Sequence, residues 1–444
     1  MQKVTNKTLL NLITICILTI VPFLKFFSMN LELFGLMNNY DFINPAVVLY
    51  VSIPFLIFIY IKDIIDKKRK LNIYDYLFYI LIVIGIISTI FSINKKLAIF
   101  GKGFRHEGFL SISSYYLLFI NWKTNGTKED IKRYIKLLII IAIINCVYAL
   151  LQIYTDFNFI LRYYDNGKMA SGLCGNPNFF GSLIVTVLSI VSCYFLINKK
   201  LNFKCTFLLI LLFISLINCQ STGPILSYVV TLIFLLVFLR TKKLIALKKF
   251  SILIFILILT YISVFILNSV VSSISVSHIK KETSIVGIKE TIQTGGNGRI
   301  TIWKNSLDIV KKYPIIGVGY DNFYLVYPNK KIKTSISFTI TNNTVQKVDN
   351  GCTLIYDNAH NVYLHTLVST GILGFIPYLI LCLLTFIRGL KTKNELVIIL
   401  LSGYVAYSIQ AFANISVIQI APIYFIVIGL ILSIKEELNK TSNI

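Results

Sequence analysis

The chain has 444 residues, 56% of them hydrophobic and only 14% charged, with a mean hydropathy of +0.76. That balance excludes a soluble domain. The formal net charge of +24 calls for no nucleic acid, because the basic residues cluster at the ends of apolar runs, where they suit anionic phospholipid headgroups.

Long apolar runs recur along the whole length, each close to what a helix needs to cross a hydrocarbon core of about 30 Å. They fall at about 8–26, 44–61, 73–92, 108–122, 137–154, 178–197, 205–220, 224–239, 251–270, 361–387, 396–413 and 417–434. The pattern predicts an all-α polytopic membrane protein with about twelve transmembrane helices. Three parts are expected: a bundle of about nine helices over 1–270, a large polar loop over 271–360, and C-terminal transmembrane helices with a tail over 361–444. The first run has a basic start and no small-residue cleavage pattern, so it reads as a retained signal anchor. Most cysteines lie in or beside apolar runs, as small packing residues do.

Loop charge sets the expected orientation. With both termini cytoplasmic, the inward loops carry 25 of the 43 Lys and Arg, among them KDIIDKKRK at 62–70 and RTKKLIALKKF at 240–250. The positive-inside rule selects that arrangement and puts the large loop outside the cell membrane. All nineteen Asp and Glu fall in loops or near span ends. A cation-coupled pump usually needs carboxylates within its spans, despite their cost, so this distribution argues against one.

On the outward side, GKGFRHEG at 101–108 sets Arg105, His106 and Glu107 beside the fourth span. Arg105 is a candidate phosphate ligand, or it simply pairs with Glu107. Residues 155–177 follow, with Arg162 and Lys168, and SGLCGNPNFFG at 171–181 reads as a turn into the sixth span that Asn176 or Asn178 can cap.

The large loop carries most of the functional signal. GRITIW starts an amphipathic helix with Ile300, Trp303, Leu307 and Val310 at helical spacing. Arg299 at its start suits a diphosphate held in bidentate fashion, or an interfacial arginine that snorkels to lipid phosphate. GVGYDNF at 317–323 is neither a Walker motif nor GxGxxG, and reads as a tight turn back to the bundle. TSISFTIT alternates and precedes Asn342-Asn343, predicting a β-hairpin. YDNAHNVYLH brings the chain back to the membrane. Asp357 or Asn358 is expected to cap the next helix and put His360 in its first turn, where a neutral imidazole is favoured and can act as a general base. A histidine at a membrane surface is also often no more than a hydrogen-bonded residue. His365 lies five residues on, about 140° around a helix, so the two histidines form no metal pair.

The ordered set RHEG, GLCGNPNFFG, GRITIWKNSLDIVKKYPIIGVGYDNF and AHNVYLHTLVSTGILGF resembles the O-antigen ligase and polymerase family of membrane glycosyltransferases over roughly residues 80–385. The resemblance implies a GT-C-like helical fold with one large extracytoplasmic loop. It implies transfer of a glycan from an undecaprenyl-diphosphate carrier to a glycan, lipid or protein hydroxyl, with no cofactor, nucleotide or metal, in surface polysaccharide biosynthesis. Carried over by position, Arg299 engages the diphosphate and His360 activates the acceptor. Arg105 matches a basic residue near the fourth span. Members often have an arginine shortly before the NPN turn where this chain has Lys168, with Arg162 further back; a lysine is a point charge without the planar fork. Asp357, Asn361 and His365 are supporting candidates. Polymerase is slightly favoured over ligase. The rival readings are a lipid-linked glycan flippase or exporter, which needs a hydrophilic path through the bundle, and a non-catalytic partner in cell-wall assembly.

The orientation is open to test. In a background lacking other cysteines, Ser335→Cys is expected to react with a membrane-impermeant thiol reagent on intact cells. Protection until the membrane is permeabilised would reverse the topology.

Overall fold

A computed structural model describes residues 5–33, 44–103, 105–155, 169–198, 202–245, 247–274, 299–328, 331–341, 344–353 and 356–434. Every one of the twelve expected runs coincides with a helix: α1 (Asn6–Leu33), α2 (Val47–Ile65), α3 (Ile73–Ile90), α5 (Phe109–Asn125), α6 (Lys128–Tyr154), α7 (Pro177–Ile197), α8 (Phe203–Asn218), α9 (Thr222–Thr241), α10 (Leu247–Ile274), α13 (Val362–Lys391), α14 (Glu395–Gln410) and α15 (Ala421–Ser433). Among the described residues nine of these are long and apolar enough to cross a membrane, and α5, α8 and α15 are shorter. The chain is a multi-pass helical membrane protein. Between the spans lie the short α4 (Lys95–Phe100), α11 (Arg299–Lys312) and α12 (Phe323–Val326), and an antiparallel pair of strands, β1 (Lys331–Thr341) and β2 (Thr344–Thr353). The strands pair from Thr341 opposite Thr344 to Lys331 opposite Thr353, with a register shift between Ile336 and Lys333, and the expected turn at 342–343 lies outside the described residues.

The bundle is built around α7, which is buried on nearly all sides. Small residues let its neighbours approach: Gly181 meets Pro224 of α9, Gly403 of α14 meets Ile190, and the Ser402 hydroxyl donates to the Ser189 carbonyl at 3.0 Å. At one face, capping boxes start α3 and α6, formed by Asn72 with Asp75 and by Thr127 with Asp130. The capping carboxylates are also ion-paired: Asp75 accepts from Arg69 at 2.9 Å and Lys123 at 2.6 Å, and Asp130 from Lys7 at 2.8 Å. Asp63, buried near the end of α2, accepts from Asn6 and Asn125. The other face, the site face, carries α4, α11 and the segment 356–361.

Two expectations change here. The face of α11 that packs inward carries Ile302, Ser306 and Ile309, whereas Ile300 and Leu307 of the expected stripe are exposed. Both sides of this helix carry apolar residues, so periodicity alone did not say which one the bundle covers. The second change concerns α13. It is interrupted at Gly371, whose φ of 62° and ψ of −169° are not helical.

That interruption is closed by the turn segment after α11. The amides of Ile372 and Leu373 donate to the carbonyls of Pro314 and Ile315 at 2.8 and 3.2 Å, and the amides of Val318 and Gly319 donate to the carbonyls of Val368 and Ser369 at 3.0 and 2.9 Å. The Ser88 hydroxyl adds a bond to the Ser369 carbonyl at 2.7 Å. Broken helical backbone at this depth is tolerable only where other groups satisfy it. The approach is so close that a Cβ on Gly371 would stand 2.2 Å from the Ile315 oxygen, and one on Gly317 2.4 Å from the Val368 oxygen. The expected tight turn at GVGYDNF thus returns the chain to the bundle and also repairs a helix.

Gly371→Ala therefore combines a backbone region open essentially to glycine alone, costing about 1–3 kcal/mol, with a steric clash. The expected outcome is a lower thermal midpoint in detergent and loss of folded protein. A midpoint equal to wild type would refute the role assigned to the break.

Candidate functional site

The site face is organised by a segment that crosses the sequence. Beyond the helix break, Asp321 sits in left-handed backbone at φ 52°, and its carboxylate accepts from the Lys102 amide at 2.8 Å. Asn322 takes both backbone groups of Asn94, accepting from its amide at 2.8 Å and donating to its carbonyl at 3.2 Å. The loop 101–108 is thereby fastened to the same polypeptide that closes α13. Beneath it a small apolar core joins Ile302 and Ile309 of α11 to Val318, Phe323, Tyr327, Ala359 and Val368, and Asn305 donates to the Tyr327 hydroxyl at 2.9 Å.

On this platform Arg105 and Asp357, 252 residues apart, form an ion pair of 2.7 Å. The Arg105 side chain is 9% exposed, and its Nε and Nη1 have no hydrogen-bond partner among the described residues. A buried guanidinium with one nitrogen engaged and two unpartnered suits an anion with more than one oxygen. The alternative pairing of Arg105 with Glu107 does not occur. Glu107 is buried and accepts instead from the Tyr115 hydroxyl at 2.7 Å and from Ser416, and burial pushes its carboxyl up to about 7. Asp321 is likewise raised by burial. His106, also in left-handed backbone, is lowered to about 4 by burial and by the Lys25 charge.

His360 differs from expectation in its backbone. The cap of α13 is Asn361, whose side chain accepts from the Leu364 amide at 3.0 Å, so His360 precedes the helix and does not occupy its first turn. Its φ is 50°, and its amide donates to the Asn358 side chain at 3.1 Å. Asparagine was available at 358 and at 361, and only the path of the chain decides which one caps. Burial first, and then the charges of Arg105 and Arg299, lower the imidazole to about 4, with Asp357 partly offsetting them. His360 is therefore neutral at pH 7 and within electrostatic reach of both arginines. Arg299 opens α11, and burial lowers its pKa as well. His365, one turn into α13, lies 5.9 Å from the Phe323 ring, with its buried Nδ1 unpartnered among the described residues. Since His360 lies outside the helix, the expected 140° separation between the two histidines does not apply.

The structure thus gathers Arg105, Arg299, Asp357, His360, Asn361 and His365 on one face. Arg162 and Lys168 lie outside the described residues. Asp321, Asn322 and the Glu107–Tyr115–Ser416 contact were missed as site-forming groups. The Asp-Asn pair of GVGYDNF was the available signal for the first two; nothing local points from Glu107 to Ser416.

These features define a multi-pass membrane protein with two arginines and a neutral histidine converging at one face of the bundle. Residues 207–379 match the family model described as O-antigen ligase, a stretch that contains Arg299 and His360 but not Arg105. The resemblance to the O-antigen ligase and polymerase family is borne out over that region. An uncharacterized protein of Haemophilus influenzae (strain ATCC 51907 / DSM 11121 / KW20 / Rd) is 34% identical over 110 residues, a segment that covers 24% of each chain.

A histidine held near pH 4 when folded, against an ordinary value of 6.5, stabilises the fold above the ordinary value and loses that contribution as pH falls through it toward the folded value. His360 and His106 are together expected to give thermal stability a downward slope as pH falls from about 6.5 to 4, opposed by the raised carboxyls of Glu107 and Asp321. His360→Ala should reduce that slope. An unchanged pH dependence would show that His360 is not buried neutral.

Proposed function

We propose that this protein is a membrane glycosyltransferase that moves a glycan from a lipid diphosphate carrier, undecaprenyl diphosphate by resemblance, to an acceptor hydroxyl at the outer leaflet. The observation that carries the reading is the meeting of Arg105, with two unpartnered buried nitrogens, Arg299 and a neutral His360 on one face. The family match supports a role in surface polysaccharide assembly.

In the reaction, the acceptor oxygen forms a bond to the anomeric carbon as the bond from that carbon to the diphosphate oxygen breaks. The electron pair leaves with the diphosphate, where Arg105 and Arg299 stabilise the developing charge. The acceptor proton passes to His360. A single displacement of this kind inverts the anomeric centre. In the free protein the two guanidinium charges depress the basicity of His360; a bound diphosphate offsets them, so the base strengthens when the donor is in place. Asp357 holds Arg105 toward the anion and supports His360 electrostatically. The chemistry calls on no nucleotide or metal, and polymerisation is favoured slightly over ligation.

The test is reconstituted protein with a lipid-diphosphate-linked oligosaccharide in EDTA, followed by product size on a gel. His360→Ala should lower transfer by about 10²–10⁴-fold, the usual range for general-base catalysis, at normal protein level. Arg299→Lys keeps the charge without the planar fork and should lose most activity. A ladder of products indicates polymerase and a single conjugate indicates ligase. Wild-type rates in both variants, or an absolute requirement for divalent metal, would exclude the mechanism.

A further inference from the structure

A second polar site adjoins the first. The last residue of α14, Gln410, is 1% exposed, and neither its Oε1 nor its Nε2 has a hydrogen-bond partner among the described residues. Leaving a buried amide unsatisfied costs about 1–3 kcal/mol, so the group calls for a hydrogen-bonding partner. The Gln410 amide lies over the first turn of α9: a Cβ on Gly223 would stand 3.2 Å from its Oε1 and 3.6 Å from its Nε2.

The start of α9 is polar and lacks a side-chain cap. Ser221 holds the capping position, but its hydroxyl donates to the Asn178 side chain at 2.6 Å and accepts from no amide of its own helix. Helix geometry leaves the Thr222 and Gly223 amides without intrahelical acceptors, and Pro224 has no N–H. The unpartnered Gln410 amide therefore stands beside a helix end whose leading N–H groups have no intrahelical acceptor.

This place is tied to the reacting groups. The Tyr363 hydroxyl, two residues beyond Asn361, donates to the Ser408 carbonyl at 2.9 Å, and its ring packs on Phe412 with centroids 4.5 Å apart. Gln410 lies between Ser408 and Phe412 in sequence, and Phe412 is 56% exposed. An amide that both donates and accepts, the leading N–H groups of a helix and an exposed aromatic rim match a neutral sugar, whose hydroxyls also donate and accept. An anion would suit the donors but would face the Gln410 carbonyl.

We propose that Gln410 and the first turn of α9 form a hydroxyl-binding subsite for the acceptor saccharide, with Phe412 at its rim. The assignment to the acceptor rests on the glycan-transfer reading; saccharide binding can be measured without turnover.

In polymerisation the acceptor is itself a saccharide of the lipid-linked pool, so the probe is the water-soluble oligosaccharide released by mild acid from that pool in the cells that make this protein, lacking the diphosphate. Hydrogen exchange would be followed on the full chain in detergent. The saccharide is expected to slow exchange at Thr222 and Gly223 by about tenfold in wild type and in His360→Ala, as one added hydrogen bond does. Gln410→Ala should lose that protection and raise the acceptor KM about tenfold with little change in kcat. Gln410→Glu keeps the size but replaces the donor with an acceptor, and Gly223→Ala fills the gap. Both should behave alike, which guards against a folding defect in any one variant. Product formation by wild type without protection of α9 would overturn the subsite alone, as would protection that survives in the folded Gln410 variants. Protection without any product would uphold saccharide binding and remove the transfer reading.

Discussion

The arrangement of the site face depends on one backbone constraint, the interruption of α13 at Gly371 and its closure by residues 314–319. A helix broken within an apolar bundle leaves amides and carbonyls that must find partners or cost several kcal/mol each. The partners are themselves backbone groups, supplied by the segment that follows α11. Because four main-chain bonds fix that segment, Asp321 and Asn322 have fixed positions from which to hold the loop 101–108. Arg105 and the approach to His360 are positioned from the same support.

Electrostatic balance is the second constraint. Two guanidinium groups, the carboxylates of Glu107, Asp321 and Asp357, and neutral His360 share a largely dehydrated region, where charge interactions are strong and unpaired charge is costly. Asp357 engages one nitrogen of Arg105 while two others stay unpartnered. Burial, reinforced by the positive potential of the two arginines, keeps the histidine neutral. The opposite face uses its charges differently. There Asp75 and Asp130 are both helix caps and ion-pair partners, so these two buried carboxylates are compensated within the protein.

Residues 411–420 link these regions. Ser416 reaches Glu107, Asn414 donates to the Ser182 hydroxyl at 2.7 Å at the start of α7, and Phe412 packs on Tyr363 beside the cap of α13. One short connection thus touches the arginine loop, the helix that follows the histidine and the N-terminal turn of α7. A change in its position would be felt by all three.

The sequence alone determined the helical membrane character, the position of each long helix and the residues worth asking about, because apolar run length is set by the bilayer and Arg299 and His360 stand in recognisable strings. It also placed a turn at GVGYDNF, from its glycines. Tertiary structure alone decided that Asn361 and not Asp357 or Asn358 caps α13, that α11 buries Ile302 and Ile309, and that Arg105 pairs with Asp357 and not with neighbouring Glu107. Each was a choice among local options of similar intrinsic preference. Contacts between residues hundreds of positions apart resolved them, and a linear pattern of hydrophobicity and charge carries no record of such contacts.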